Sequence, residues 1–143
     1  RVLFRSVDYG AIERYIMQIE AKYGVTVMGI GYDRYNALST AQKLEDAGYT
    51  MVEIKQHSSV LHPATKWLAE LVADGNLVYE KGNKLLEINF ENSRCVYDTN
   101  MNRYVNKKKS RGKVDMVVAG INAMYLLHQN YMLNSTLDWV VQM

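Results

Sequence analysis

Two aspartates lie at positions where a carboxylate could bind a ligand or take part in catalysis. Asp33 follows the apolar run at residues 25–32, and Asp115 precedes an apolar helical pattern. Ligands of open α/β sheets bind beyond the carboxyl ends of the strands, which favours a functional role for Asp33. Either carboxylate could instead cap the helix that follows it, and Asn36 could take the place of Asp33 as the cap. At this point both interpretations stay open.

A cationic segment lies immediately before Asp115. Six of the 17 Lys and Arg residues, and none of the 15 acidic ones, lie between Arg103 and Lys113. This segregation indicates contact with a polyanion, although a solvated lysine-rich loop would have the same composition. A carboxylate next to bound phosphates needs a cation between them, and Mg²⁺ is held by one or two carboxylates together with phosphate oxygens. The pattern therefore favours metal-assisted phosphodiester chemistry.

Several other classes of site are excluded by composition. The 143 residues include one cysteine, Cys95, which rules out an internal disulfide framework and a Cys-rich zinc site. His57, His62 and His128 lack zinc-binding spacing, and no glycine-rich phosphate loop is present. No apolar run reaches the ~20 residues of a membrane span. Residues 1–5 show no signal-peptide pattern, so we expect no membrane association and no secretion.

The hydrophobic periodicity predicts alternating helices and strands. Helices are predicted over residues 8–23, 36–47 and 63–74 and from 115 onward, strands over 25–32 and 49–56, and a hairpin over 94–105. The alternation indicates an α/β fold in which the two main strands pair in parallel, the first of them buried on both faces. We expect the hairpin to join this sheet and further strands to precede residue 1. Ala119, Gly120 and Ala123 should let the last helix pack closely on the sheet.

The order of the motifs resembles the nuclease domain of the large terminase subunits of tailed phages. The matching stretches are Gly29-Ile-Gly-Tyr-Asp33-Arg-Tyr-Asn-Ala37, Leu44-Glu-Asp-Ala-Gly48 and Lys107-Lys-Lys109-Ser-Arg-Gly-Lys113-Val-Asp115-Met-Val-Val-Ala119. The last of these is the most specific, because the family closes on a lysine-containing stretch followed by Lys/Arg-Ile/Val-Asp and a helix. The resemblance covers almost the whole chain in one order.

The resemblance implies an RNase H-like α/β fold, with a mixed sheet flanked by helices, over residues 1–143 as a single domain. It also implies a metal-dependent endonuclease that cuts concatemeric double-stranded viral DNA during genome packaging. Asp33 and Asp115 would be the catalytic ligands of two Mg²⁺ or Mn²⁺ ions. The DNA backbone would be bound by Lys107, Lys109, Arg111 and Lys113.

Further expectations follow from the same resemblance. The family's first metal-binding aspartate lies on a strand upstream of the first helix, so we expect this chain to be N-terminally truncated. It should then lack one carboxylate and part of its sheet, and it should need the preceding residues for cleavage. The expected partners are the terminase ATPase domain, the small terminase subunit and the portal, in the host cytoplasm.

Two alternatives belong beside this interpretation. One is a different RNase H-like nuclease, such as the core of a resolvase or transposase. The other is a non-catalytic module that docks on DNA or on the portal through its basic segment and tyrosines. Divalent-ion binding at Asp33 and Asp115 separates the nuclease from the docking module.

Overall fold

A computed structural model describes residues 6–141, without the side chains of Asn36 and of residues 131–141. Residues 1–5, which entered the signal-peptide argument, and the Asn36 side chain, which was the alternative cap, lie outside the described part. The chain forms two compact units, one ending at Ile54 and the other beginning at Lys55. The prediction of a single domain over residues 1–143 stays a prediction. Among the described helices, none combines the length and the apolar character that crossing a bilayer requires.

The first unit alternates helices and strands as predicted. Its elements are α1 (Tyr9–Tyr23), β1 (Ile30–Tyr32), α2 (Arg34–Asp46) and β2 (Met51–Glu53). The Asp8 carboxylate caps α1 by accepting from the Ala11 N–H at 2.9 Å, and Gly24 ends the helix with a φ of 64° that favours glycine. The strands β1 and β2 pair in parallel.

The first strand is shorter and less buried than predicted. Of the predicted run at residues 25–32, only the three residues of β1 pair with another described strand, which is β2. Before β1, the Val27 N–H donates to the Glu20 carboxylate at 2.8 Å instead of to a strand, and Met28 is 77% exposed. All three β1 residues are half-buried, so the prediction of a strand at 25–32 with two buried faces is wrong.

The second unit contains three helices and a hairpin. Its elements are α3 (Ser58–Ala73), α4 (Lys84–Asn92), β3 (Cys95–Tyr97), β4 (Arg103–Val105) and α5 (Asp115–Val141). The core of this unit lies between α3 and α5 and is formed by Ala64, Leu68, Val117, Ile121 and Met124. A Cβ built on Gly120 would lie 3.7 Å from Leu68 Cδ2, so the small residue faces α3. Within this unit the described part of α5 therefore packs on α3, and its predicted packing on the main sheet stays a prediction.

The hairpin forms a sheet of its own. In the described residues β3 pairs only with β4, in antiparallel orientation, so the expectation that the hairpin joins the main sheet is wrong. Side chains of α3 form hydrogen bonds with polar groups at the start of β4 and in the turn before it. The Arg103 N–H donates to His62 Nδ1 at 2.8 Å, and the Ser58 hydroxyl donates to Asp98 at 2.6 Å.

Helix α3 begins five residues before its predicted start. His57 Nδ1 accepts from the Ser59 N–H at 3.2 Å and thereby caps the helix, and Pro63 lies in the second turn. Proline is common in the first turn of helices, and this preference placed the predicted start too late.

Candidate functional site

Asp33 stands where the sequence predicted it, between β1 and α2. It is exposed, its backbone is extended, and its Oδ1 accepts from the Tyr35 N–H at 3.3 Å. The carboxylate is thus the N-cap of α2, as one of the two interpretations proposed. The Oδ2 atom makes no hydrogen bond or ion pair with any residue that the structure describes. A cap that uses one oxygen leaves the other available to a ligand.

Asp115 is the first residue of α5 and is exposed to solvent. The residue before it, Val114, is buried and fixes the entry of the chain into the helix. The Asp115 carboxylate makes no hydrogen bond or ion pair within the described part of the chain. A negative charge at a helix N-terminus is favoured by the helix dipole. Asp115 is therefore a stable, accessible and unengaged carboxylate.

The cap of α5 comes from another helix. Asn89 on α4 is 3% exposed, and its Oδ1 accepts from the Met116 N–H at 3.1 Å. Its Nδ2 donates to the Leu85 carbonyl at 2.9 Å, so both ends of the buried amide are satisfied. Asn89 is thus the N-terminal cap of α5, a role that one of the two interpretations gave to Asp115. The sequence analysis missed it, although a polar residue three positions after Leu86 and one before Phe90 indicates a buried polar contact.

The basic segment is an ordered loop. We define the basic loop as residues 106–114, which connect β4 to α5. At the start of the loop, the Asn106 side chain accepts hydrogen bonds from the backbone N–H groups of Lys108 at 3.0 Å and Lys109 at 3.1 Å. The Ser110 N–H and hydroxyl both donate to the Asn106 carbonyl, at 3.0 and 2.7 Å. These bonds fold the lysine stretch into a turn.

Helix α4 holds the second half of the basic loop. The Arg111 N–H donates to the Asn92 carbonyl at 3.0 Å, and Asn92 Nδ2 donates to the Lys113 carbonyl at 3.2 Å. A Cβ on Gly112 would lie 2.7 Å from Asn92 Nδ2, so a larger residue there would displace the Asn92 side chain. The same helix thus positions the loop through Asn92 and the start of α5 through Asn89.

The cations of the basic loop are free to bind an anion. Its exposed basic residues are Lys107, Lys108, Lys109, Arg111 and Lys113. No ion pair joins any of them to an acid in the described residues. Unpaired, exposed lysines and arginines next to one another produce a positive potential that attracts a polyanion.

The histidines have structural roles. His57 caps α3, His62 accepts from the backbone of β4, and the ring of His128 packs edge-on against Trp67 at 6.0 Å between centroids. Across the described ranges, no three His, Cys, Asp or Glu side chains are grouped so that they could hold a metal ion.

Asp98 is the one carboxylate with a strongly displaced pKa among the described groups. It accepts from the Ser58 hydroxyl at 2.6 Å, from the backbone N–H groups of Asn100 and Asn102 at 2.9 Å each, and from Asn102 Nδ2 at 3.1 Å. The Ser58 hydrogen bond first, and then those from Asn102, lower the pKa of Asp98 from 3.8 to about 2. This carboxylate ties the hairpin turn to α3.

The structure brings two of the three predicted site components together. Asp115 directly follows the basic loop, and both belong to the unit that begins at Lys55. Asp33 belongs to the other unit. Its sharing of a metal site with Asp115 stays a prediction.

The comparison with protein families decides the classification. Residues 5–130 match the family model of the terminase large subunit endonuclease domain. The chain belongs to this family. The fold agrees, since the chain is similar to the crystal structure of the HK97 bacteriophage large terminase, with a TM-score of 0.72 and 24% sequence identity. This likeness confirms the predicted RNase H-like α/β fold class.

The alignment with the HK97 terminase covers 85% of this chain and 25% of the HK97 chain. The chain therefore corresponds to about a quarter of that protein. No curated protein matches the chain.

Proposed function

We propose that the chain is a metal-dependent endonuclease domain that cleaves concatemeric double-stranded viral DNA during genome packaging. The observation that carries the proposal is the unengaged, exposed Asp115 carboxylate directly after an ordered loop of unpaired cations. A carboxylate of this kind could bind a metal ion, and cations next to it could bind phosphate, which supports the proposal. Membership of the terminase endonuclease family supports it and counts against the resolvase or transposase core.

The chemistry of the donor groups fits Mg²⁺ or Mn²⁺. Both ions prefer oxygen ligands and are held by one or two carboxylates, with waters and substrate phosphate oxygens completing the coordination. Asp115 offers two free oxygens and Asp33 offers Oδ2.

The residues of the chain have separate tasks in the proposed reaction. Lys107, Lys109, Arg111 and Lys113 bind the phosphate backbone and position the duplex without reading its bases. Asp33 and Asp115 hold the ions, Asp33 oriented by its cap bond to Tyr35 and Asp115 by the helix that Asn89 caps. When bound, two divalent ions activate the attacking water and stabilise the leaving 3′ oxygen.

The partners in the proposal are double-stranded DNA and the packaging machinery. The domain would act together with the terminase ATPase domain, the small terminase subunit and the portal in the host cytoplasm. In the docking alternative the basic loop would bind DNA or the portal in the same way, but the two aspartates would have no ligand.

A titration with Mn²⁺ separates the nuclease from the docking module. In the intact protein, we expect calorimetry to detect Mn²⁺ binding that is lost when Asp33→Asn and Asp115→Asn are combined. The matched control combines Asp46→Asn and Asp74→Asn, which remove the same charge from other exposed helix ends. Equal Mn²⁺ binding by both double variants would contradict the metal site.

A further inference from the structure

A second candidate site lies inside the unit that begins at Lys55. An open cavity of about 400 Å³ is lined by residues of α3, the end of α4, the β3–β4 hairpin and α5. Its wall is mostly apolar, with Leu68, Val72, Phe90, Val117 and Ile121 among the lining residues, and none of the described residues that line it is acidic. It shares no residue with the basic loop or with Asp33 and Asp115.

A buried hydroxyl in this wall has no partner. Thr65 lines the cavity and is 3% exposed, and its Oγ1 makes no hydrogen bond within the described structure. Leaving a buried hydroxyl unpaired is unfavourable, so such groups are rare. The Oγ1 atom is itself shielded from solvent, so the polar groups that a ligand could reach are those of the other lining residues.

Two arginines make the cavity attractive to an anion. Arg94 and Arg103 line it and are half-buried. Arg94 Nη1 donates to the Ser93 carbonyl at 3.1 Å, which holds one side of its guanidinium. The Arg103 guanidinium makes no hydrogen bond or ion pair with any described residue. Two positive charges without an acid in the wall favour a carboxylate, which an arginine binds through two parallel hydrogen bonds.

We propose that this cavity binds an apolar group that ends in a carboxylate. The carboxylate pairs with Arg103 and Arg94, and the apolar group lies against Leu68, Phe90 and Ile121. The volume is at the lower end of the range of about 300–1,000 Å³ for small-molecule pockets, so the group is a single ring or a short branched chain. Such a ligand is either a free organic acid or the C-terminal residue of a peptide.

Cys95 allows a direct measurement of occupancy. It lines the cavity, is exposed, and is the one cysteine of this sequence. A bound ligand should slow its alkylation by iodoacetamide, a neutral reagent whose approach does not depend on the arginines. The reaction is followed by mass spectrometry of the peptide that carries Cys95, in the intact protein, with and without 4-phenylbutyrate or acetyl-Gly-Gly-Phe.

We expect one or both acids to slow the alkylation of Cys95, and the more protective acid identifies the source of the ligand. The alcohol 4-phenylbutanol should protect far less, because it lacks the carboxylate. Arg103→Gln should weaken protection about tenfold, as the loss of a hydrogen bond between charged groups predicts. Arg94→Gln should weaken it in the same direction, and the matched control Lys66→Gln on α3 should not change it.

Any one of three results would overturn the proposal. One is an alkylation rate that neither acid changes. Another is protection by 4-phenylbutanol equal to that by 4-phenylbutyrate, and the third is protection that both arginine variants retain. Circular dichroism of each variant checks that it is folded, and the comparison with and without probe is made within each variant.

Discussion

Two different residues cap α5 and provide a free carboxylate at its start. Asn89 reaches across from α4 and caps the helix with a buried amide, whereas Asp115 begins the helix with its carboxylate in solvent. Capping is therefore not a reason for an aspartate at position 115. The division allows the two tasks to be tested by separate substitutions.

Asn89→Ala should destabilise the protein. The substitution removes the acceptor of the Met116 N–H at the start of α5 and leaves a small cavity at a buried position. We expect a loss of about 1–3 kcal/mol in the free energy of unfolding, measured by urea denaturation. The control Asn130→Ala, at an exposed position of α5, should stay within about 0.5 kcal/mol. A loss no larger than that of the control would show that Asn89 does not cap α5.

Single residues differ in how far their roles can be predicted from the sequence. The positions of Asp33 and Asp115 at the ends of elements could be predicted, because a strand pattern or a helix pattern adjoins each of them. The cap on Asp115's helix could not, because Asn89 and Met116 are 27 residues apart and meet only after α4 packs on α5. A contact of this kind depends on tertiary packing and has no local signature.

At the scale of elements, the basic loop is shaped by two asparagines. Asn106 folds its first half and Asn92 holds its second half, so the cations are presented by an ordered backbone. An ordered loop loses less conformational entropy on binding than a disordered one. The loop is therefore suited to hold DNA in one position relative to Asp115.

Replacing Lys107, Lys109 and Arg111 by Gln together should weaken DNA binding to the same extent for all sequences. Each phosphate contact contributes about 0.9 to the slope of log K against log salt, so the slope should become shallower by up to about 2.7. Fluorescence anisotropy at several salt concentrations measures it. Lys22, Lys66 and Lys81, replaced by Gln together, provide a control with the same loss of charge. A loss of affinity confined to one DNA sequence would show that the loop reads bases.

The hairpin turn should respond to acid through Asp98. The pKa of this carboxylate is lowered to about 2, so its ionised form stabilises the fold above its ordinary pKa of 3.8. That contribution should decrease as the pH falls from 3.8 towards about 2. Melting temperatures over this range should therefore fall more steeply for the wild-type protein than for Asp98→Asn. Parallel curves for the two proteins would contradict the lowered pKa.

Elements were predicted well where a local signal set their ends. Helix α1 has both a capping aspartate and a terminating glycine in its sequence, and its bounds were predicted almost to the residue. The prediction for β1 was too long, because a run of apolar residues forms a strand only where another strand can pair with it. The hairpin itself was predicted correctly, but the contact of its Arg103 N–H with His62 of α3 has no signal in the local sequence.

The whole chain is a member of the terminase large subunit endonuclease family with the expected α/β fold. Its two units each contribute one of the predicted aspartates, and the basic loop lies in the same unit as Asp115. Family membership was predictable because the motifs follow one another in a fixed order along the chain. The central claim is that Asp115 is a metal ligand in a nuclease.

Cleavage of double-stranded DNA by Asp115→Asn in the intact protein tests this claim most directly. Because Asn89 caps α5, the melting temperature should stay near that of the wild-type protein, and DNA binding should be retained. Mg²⁺-dependent cleavage should fall by at least about 100-fold, since changing even an indirect partner of a metal commonly costs 10- to 100-fold. The control Asp46→Asn should cleave normally. Cleavage by Asp115→Asn at the wild-type rate would contradict the account.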